Sequence, residues 1–187
     1  MQFSRHGILG LVTIVPKRIG DLRGYFAETF RADLFERQIG AREFVQENES
    51  LSAQVGTIRG LHFQSAPFAQ GKLVRCVQGA LLDVAVDIRV GSPSFGQSIA
   101  VELSAANGQQ LWAPPGFAHG FCTLLPDTIL AYKVTAFYSA EHDNGLAWDD
   151  PAIGVKWPDC ADPATLSAKD RVQPGLADLP AYFTCEA

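Results

Sequence analysis

The tightest constraint on the fold is the run Ala80-Leu-Leu-Asp-Val-Ala-Val-Asp-Ile-Arg89. Leu82, Val84, Val86 and Ile88 fall at one parity, and Asp83, Asp87 and Arg89 at the other. A period of two is the signature of an extended strand with two unlike faces, and no helix satisfies it. Lys72 to Gln78 reads as a second strand joined through Gly79, and Gly91-Ser92-Pro93-Ser94 as the turn that follows. Ser98 to Leu103, Gln110 to Ala113, Gly120 to Leu124 and Thr128 to Phe137 continue the series, with a hairpin-type turn at Ala106-Asn107-Gly108. Short strands about ten residues apart, separated by Gly, Pro and Asn, predict an all-β sandwich or barrel rather than alternating βαβ units.

The flanks carry weaker signals. A strand is expected near the N-terminus after a short lead-in, then a turn at Asp21-Leu22-Arg23-Gly24 and a strand over Tyr25 to Phe30. Ala32 to Gln38 suits two helical turns with Leu34, Phe35 and Ile39 near one face and Gly40 as a stop. Val45 to Ser52 is polar, with Gln46 and Asn48 in phase as a site-lining strand. Beyond Ser139 periodicity fades and Pro, Asp and Gly dominate, so residues 140–187 are expected to be short helical turns packed on a core of about 20–140, within one domain spanning 1–187.

A net charge of −5 supplies no basic field for nucleic acid or an anionic membrane. No long uncharged apolar run suits a transmembrane helix, and Gly7 and Gly10 interrupt the N-terminal apolar stretch that a signal peptide would need. Cys76, Cys122, Cys160 and Cys185 show no CxxC spacing, and the first two lie in apolar strands, which points to reduced thiols in the cytoplasm.

The chemistry-bearing stretch is Arg59-Gly60-Leu61-His62-Phe63-Gln64. As a strand it sends Leu61 and Phe63 to one face and Gly60, His62 and Gln64 to the other, with Gly60 leaving room beside His62. A lone strand histidine is more often structural than catalytic. Its weight here comes from Lys72, His119, Tyr132 and Asp170, all in segments readable as strands or strand ends. Pro114-Pro115-Gly116-Phe117-Ala118-His119 delivers a histidine through a turn, and this Pro-x-Gly-x-x-His pattern resembles the second motif of cupins, the small jelly-roll barrels. Many cupins bind a metal there together with a His-x-His pair on the first motif. Position 64 is glutamine, so only His62 and His119 remain as ligands, and no metal site is expected.

RGLHFQ at 59–64, GKLVRCVQGALLDVAVDIRVGSPSFG at 71–96, PPGFAHGF at 114–121, Tyr132-Lys133, LAWDDPAIGVKWP at 146–158 and LSAKD at 166–170 stand in order. Together they resemble the dTDP-4-dehydrorhamnose 3,5-epimerases. The resemblance implies a cofactor-free, metal-free cupin jelly roll that forms a homodimer. Its substrate would be a dTDP-linked 4-keto-6-deoxyhexose, inverted at the two carbons flanking the ketone. By the same resemblance His62 is the base, Asp170 its partner, Lys72 the cation facing the enolate oxygen and Tyr132 the acid of the opposite face. A proton beside a ketone is weakly acidic, so both a base and enolate stabilisation are required.

The substrate handle carried over consists of Arg23, Glu28, Gln46, Asn48, Arg59, His119, Asp143 and Lys169, with Phe26 and Tyr138 where the family stacks aromatics on thymine. The guanidiniums of Arg23 and Arg59 suit a pyrophosphate. Asp143 stands where the family more often has glutamate. Asp83 fits either a bond to His119 inside the barrel or a surface carboxylate. Three rivals remain: a relative inverting one carbon only, a non-catalytic sugar-nucleotide-binding cupin, and a metal-dependent cupin oxygenase.

Overall fold

The computed structural model describes residues 1–8 and 10–185. In chain order the strands are β1 (Gln2–Arg5), β2 (Val12–Val15), β3 (Arg18–Asp21), β4 (Gly24–Ala27), β5 (Gln46–Ser52), β6 (Ile58–Gln64), β7 (Lys72–Gln78), β8 (Ala80–Asp87), β9 (Arg89–Val90), β10 (Ser98–Ser104), β11 (Gln110–Ala113), β12 (Phe117–Thr123), β13 (Thr128–Val134), β14 (Asp143–Gly145) and β15 (Phe183–Thr184). One helix, α1 (Ala32–Ile39), lies between β4 and β5 and ends at Gly40, whose N–H bonds the Glu36 carbonyl. Two antiparallel sheets face each other as a jelly roll: β1-β2-β11-β7-β13-β5 and β10-β8-β12-β6-β14.

Three apolar layers hold the sheets. Between them, Val74, Cys76, Leu81, Ala85, Leu103, Leu111, Phe121 and Leu130 form the inner core. Outside the six-stranded sheet, Phe35 of α1 packs edge-on to Trp112 and Phe44, at centroid distances of 5.1 and 5.3 Å. Outside the five-stranded sheet, Leu61, Phe63, Val84, Val86 and Ile88 lie beneath Ile153, Val155, Trp157, Leu176 and Phe183 of the C-terminal segment. That segment contributes 3₁₀ turns at Pro163–Thr165, Asp170–Val172 and Leu176–Asp178.

The apolar face of β8 is therefore the outer one, and its Asp83 points into the barrel. Asp87 is also fully buried, held by Arg89 at 2.6 Å and by the hydroxyls of Ser92 and Ser94 at 2.6 and 2.7 Å. Several expectations need correction. The N-terminal lead-in is itself β1, antiparallel to β2, so the six-stranded sheet starts well before residue 20. The strand expected over Tyr25 to Phe30 stops at Ala27, because Phe30 turns away to join Phe35 and Phe44. The strand expected from Gly120 begins at Phe117, which places His119 inside it, and the one expected to reach Phe137 ends at Val134. Asp170 lies in a helical turn and not at a strand end.

Candidate active site

The inward positions change from apolar to polar along several strands, and the polar end is the candidate site. β5 turns Gln46, Asn48 and Ser50 inward while Glu47, Glu49 and Leu51 face out. β7 turns Lys72 inward, in line with Val74 and Cys76, and β13 places Tyr132 in line with Leu130. On the opposite sheet, His62 of β6 and His119 of β12 are direct cross-strand partners. The register slips between His119 and Phe121, a bulge that two glycines permit. A Cβ on Gly60, whose φ is +114°, would lie 2.6 Å from the Gly120 Cα. The space beside His62 is thus filled by the backbone of β12.

Each histidine holds its own carboxylate. His62 Nε2 lies 2.5 Å from Asp170 Oδ1, across 108 residues of sequence, and His119 Nε2 lies 2.9 Å from Asp83 Oδ1. Asp170 is 4 % exposed, and the side chain of His62 is about one-third exposed, open to the cavity. With Nε2–H donating to Asp170, His62 Nδ1 keeps a free lone pair. Burial alone would raise the Asp170 carboxyl. Hydrogen bonds from His62, the Gly60 N–H and the Ser167 hydroxyl hold it below the ordinary range instead. Lys72 donates to the His62 carbonyl at 3.2 Å. Burial pulls its ammonium from 10.5 down to about 8, against the opposing charges of Asp143 and Asp83. Burial first, then the charge of Asp143, raises the Tyr132 phenol, which therefore keeps its proton.

His62, Lys72, Tyr132, Asp170, Arg59 and His119 share a cavity of about 390 Å³. Arg59 is held at its wall by the Ser52 hydroxyl and the Leu51 carbonyl, both at 3.1 Å. A second space of about 360 Å³ also opens on His62, Lys72 and Tyr132, and is lined by Gln46, Asn48, Tyr138 and Asp143. Gln46 donates to Asn48 at 2.7 Å and accepts from the Tyr138 N–H at 3.1 Å. Lys169 reaches Asp143 at 2.5 Å, and the Tyr138 hydroxyl lies 3.2 Å from the same carboxylate.

Three of the expected residues stand apart. Arg23, Phe26 and Glu28 belong to the β3–β4 hairpin and the residues just after it. Arg23 is tied to Asp21 with an 89 % exposed side chain, Phe26 is 70 % exposed, and none of the three lines either cavity. Conversely, Ser50, Thr57, Thr165 and Ser167 line the first cavity without having been singled out. Ser50 shares the parity of Gln46 and Asn48, so the period of β5 was the available signal. Among the described residues, no group of three or more His, Cys, Asp or Glu side chains is placed to hold a metal ion, and no helix is long and apolar enough to cross a membrane.

Comparison with known proteins places this geometry. A dTDP-4-dehydrorhamnose 3,5-epimerase of Sinorhizobium fredii is 58 % identical over 98 % of this chain and 93 % of its own length. A dTDP-6-deoxy-D-glucose-3,5-epimerase of Legionella pneumophila, solved in complex with dTDP-4-keto-L-rhamnose, superposes with a TM-score of 0.93. It is 41 % identical and covers 100 % of this chain and 99 % of that one. A dTDP-4-dehydrorhamnose 3,5-epimerase of Bacillus anthracis with TDP and pyrophosphate bound gives a TM-score of 0.89 at 46 % identity, covering 93 % of this chain and 98 % of that one. The sequence profile of the same family matches residues 5–178, a span holding both histidine–carboxylate pairs, Lys72 and Tyr132; the chain belongs to the dTDP-4-dehydrorhamnose 3,5-epimerase family.

Proposed function

We propose that this protein inverts carbons 3 and 5 of dTDP-4-dehydro-6-deoxy-D-glucose to give dTDP-4-dehydro-L-rhamnose, by proton removal and return beside the ketone. One observation carries the reading: His62 and Tyr132 face one cavity from opposite sheets, with Lys72 between the two spaces that meet there. A base and an acid on opposite walls are what inversion requires, since a single group returning its own proton gives retention. His62 Nδ1 takes the proton from carbon, and Asp170 stabilises the imidazolium. The Lys72 ammonium stabilises negative charge developing on the keto oxygen, and remains mainly protonated at neutral pH with its value near 8. Tyr132 delivers its phenolic proton to the other face of the carbon. The imidazolium then loses a proton to solvent and the phenolate regains one, which resets the site for the second carbon.

Arg59 is the guanidinium at hand for the pyrophosphate, with His119, Gln46, Asn48, Tyr138, Asp143 and Lys169 around the sugar nucleotide. A homodimer completes this picture. The hairpin that carries Arg23, Phe26 and Glu28 leaves Leu22, Tyr25 and Phe26 uncovered in the single chain, and a second copy would bring their side chains to a nucleotide. The chemistry uses only side chains and no cofactor. Cytoplasmic residence fits the buried thiols of Cys76 and Cys122.

The test is incubation with dTDP-4-dehydro-6-deoxyglucose in deuterated water, with NMR following exchange and configuration at each carbon, beside His62→Ala. Inversion at both carbons is expected in the native protein. Exchange should fall roughly 10²–10⁴-fold in the variant. Inversion confined to one carbon would make the protein a mono-epimerase, and full exchange without His62 would remove the base.

A further inference from the structure

We propose that Ser167 is a positioning residue for the base: it builds the one-turn cap that fixes the Asp170 carboxylate against His62. The inference rests on the reading of His62 as base and adds a residue to which that reading gives no part.

Asp170 comes from a short turn in the C-terminal segment and not from a strand. No β-ladder fixes its place, and other contacts must do so. The sequence there is Ser167-Ala-Lys-Asp170, with the spacing of a capping box. The Ser167 hydroxyl accepts from the Asp170 N–H at 3.1 Å, and the Ser167 carbonyl accepts from the Arg171 N–H at 3.2 Å. Against the upward push of burial, the same hydroxyl is among the groups that hold the Asp170 carboxyl below its ordinary range, after His62 and the Gly60 N–H. Ser167 thus fixes the backbone at Asp170 and at the next residue, and with it the direction in which the Asp170 side chain leaves the turn.

Apart from His62 itself at 2.5 Å, the other supports act on the carboxylate or on the flanks of the turn and leave the Asp170 N–H to Ser167. Gly60 N–H reaches Asp170 Oδ2 only at 3.5 Å. Lys169 and Arg171 fasten the flanks of the turn, to Asp143 and to the Ala164 carbonyl, without touching Asp170. Ser167 also lines the cavity beside His62 and Asp170, so its effect is exerted at the site. Its side chain is exposed, and truncating it opens no hole in the core.

The experiment is a double-mutant cycle of Ser167→Ala and Asp170→Asn, with Ser167→Thr as the conservative variant and His62→Ala as control. For each, kcat, KM, deuterium exchange and thermal midpoint are measured. Ser167→Ala should lower kcat roughly 10- to 100-fold with KM and midpoint little changed, since a small misplacement of a catalytic group has effects of that order. Ser167→Thr, which keeps the hydroxyl, should recover most of the loss. In the Asp170→Asn background, Ser167→Ala should cost nothing further, because its only route to the chemistry is gone. Additive losses would mean that Ser167 acts on substrate directly and would overturn the proposal. So would a wild-type kcat in Ser167→Ala, or a loss explained by a lowered midpoint alone. His62→Ala separates the two readings. Full exchange in that control defeats the base assignment itself, whereas lost exchange there with an unaffected Ser167→Ala defeats only the role of Ser167.

Discussion

Replacing Lys72 by methionine should make the protein more stable and nearly inactive. Burial lowers the ammonium from 10.5 to about 8, so the folded state holds this proton less tightly than the unfolded chain does. At about 1.4 kcal/mol per pKa unit, the charged lysine costs the fold about 3 kcal/mol at neutral pH. The unfolded state binds more protons than the folded one between pH 8 and 10.5, so stability rises with pH across that window. The penalty is full below about 8 and gone above 10.5. Methionine has a similar length and no charge, but it also forfeits the 3.2 Å hydrogen bond to the His62 carbonyl, a loss of about 1 kcal/mol. The net gain at pH 7 is about 2 kcal/mol, which for a domain of this size raises the melting temperature by roughly 4–8 °C. Activity should fall roughly 10²–10³-fold through kcat, as the charge proposed to face the enolate oxygen is lost. Thermal melts of both proteins from pH 6 to 10.5, beside steady-state epimerisation, test the argument. A variant no more stable than the native protein at pH 7 would refute it, as would an advantage undiminished at pH 10.5.

Tyr132→Phe should separate proton removal from inversion: His62 and Lys72 still form the enolate and admit deuterium, while inversion falls roughly 10²–10⁴-fold, most clearly at carbon 5. The ratio of deuterium incorporated to epimer formed is the measurement, and an unchanged ratio would deny Tyr132 the opposite-face role. A further prediction concerns acid stability, through Asp87. Burial would raise its carboxyl, but Arg89, Ser92 and Ser94 hold it below its ordinary 3.8, so its contribution is present above that value and lost as pH falls through the lower folded one. Asp87→Asn should therefore flatten the acid limb of stability against pH, and a limb of unchanged steepness in urea titrations would place the acid sensitivity elsewhere.

What was legible in the sequence follows from which forces leave a local pattern. The alternation of β8 revealed two faces, but not that the apolar one looks outward. Period alone cannot tell a face closed by the opposite sheet from one closed by a later segment. The covering residues, among them Ile153, Trp157, Leu176 and Phe183, sit in 3₁₀ turns, loops and the two-residue β15, too short to show a period, and so left no sign of a layer. β1 was missed because Gln-Phe-Ser-Arg pairs through its backbone and offers one apolar side chain. Gln46 and Asn48 were legible as a site-lining pair through parity, and Ser50 lay in the same phase. The bond between His62 and Asp170 left no local trace across 108 residues, and only likeness to a known family brought the two together. Likeness also named Arg23, Phe26 and Glu28, yet the structure leaves them exposed on and just after the β3–β4 hairpin, outside both cavities, because a sequence motif does not record where its segment lies in the fold.

The arrangement of the layers explains why the C-terminal segment belongs to the site. A barrel lined at one end by Lys72, Asp83, His119, Gln46 and Asn48 gives up apolar burial there, since those inward positions are occupied by polar groups that lose water on folding. The compensating burial lies outside the sheets, under α1 on one side and under the C-terminal segment on the other. The residues that cover Val84, Val86 and Ile88 thus restore what the polar interior forgoes, and the same segment carries Ser167, Lys169 and Asp170 to the cavity mouth. Asp170 can reach His62 only when the segment lies on the sheet, so the His62–Asp170 pair proposed as the base is assembled by the same contacts that cover the outer face of that sheet. Loosening the outer layer at Trp157 or Leu176 should then lower deuterium exchange into substrate before it lowers the thermal midpoint of the inner barrel, because Val74, Leu81, Leu103 and Leu111 form an apolar cluster of their own.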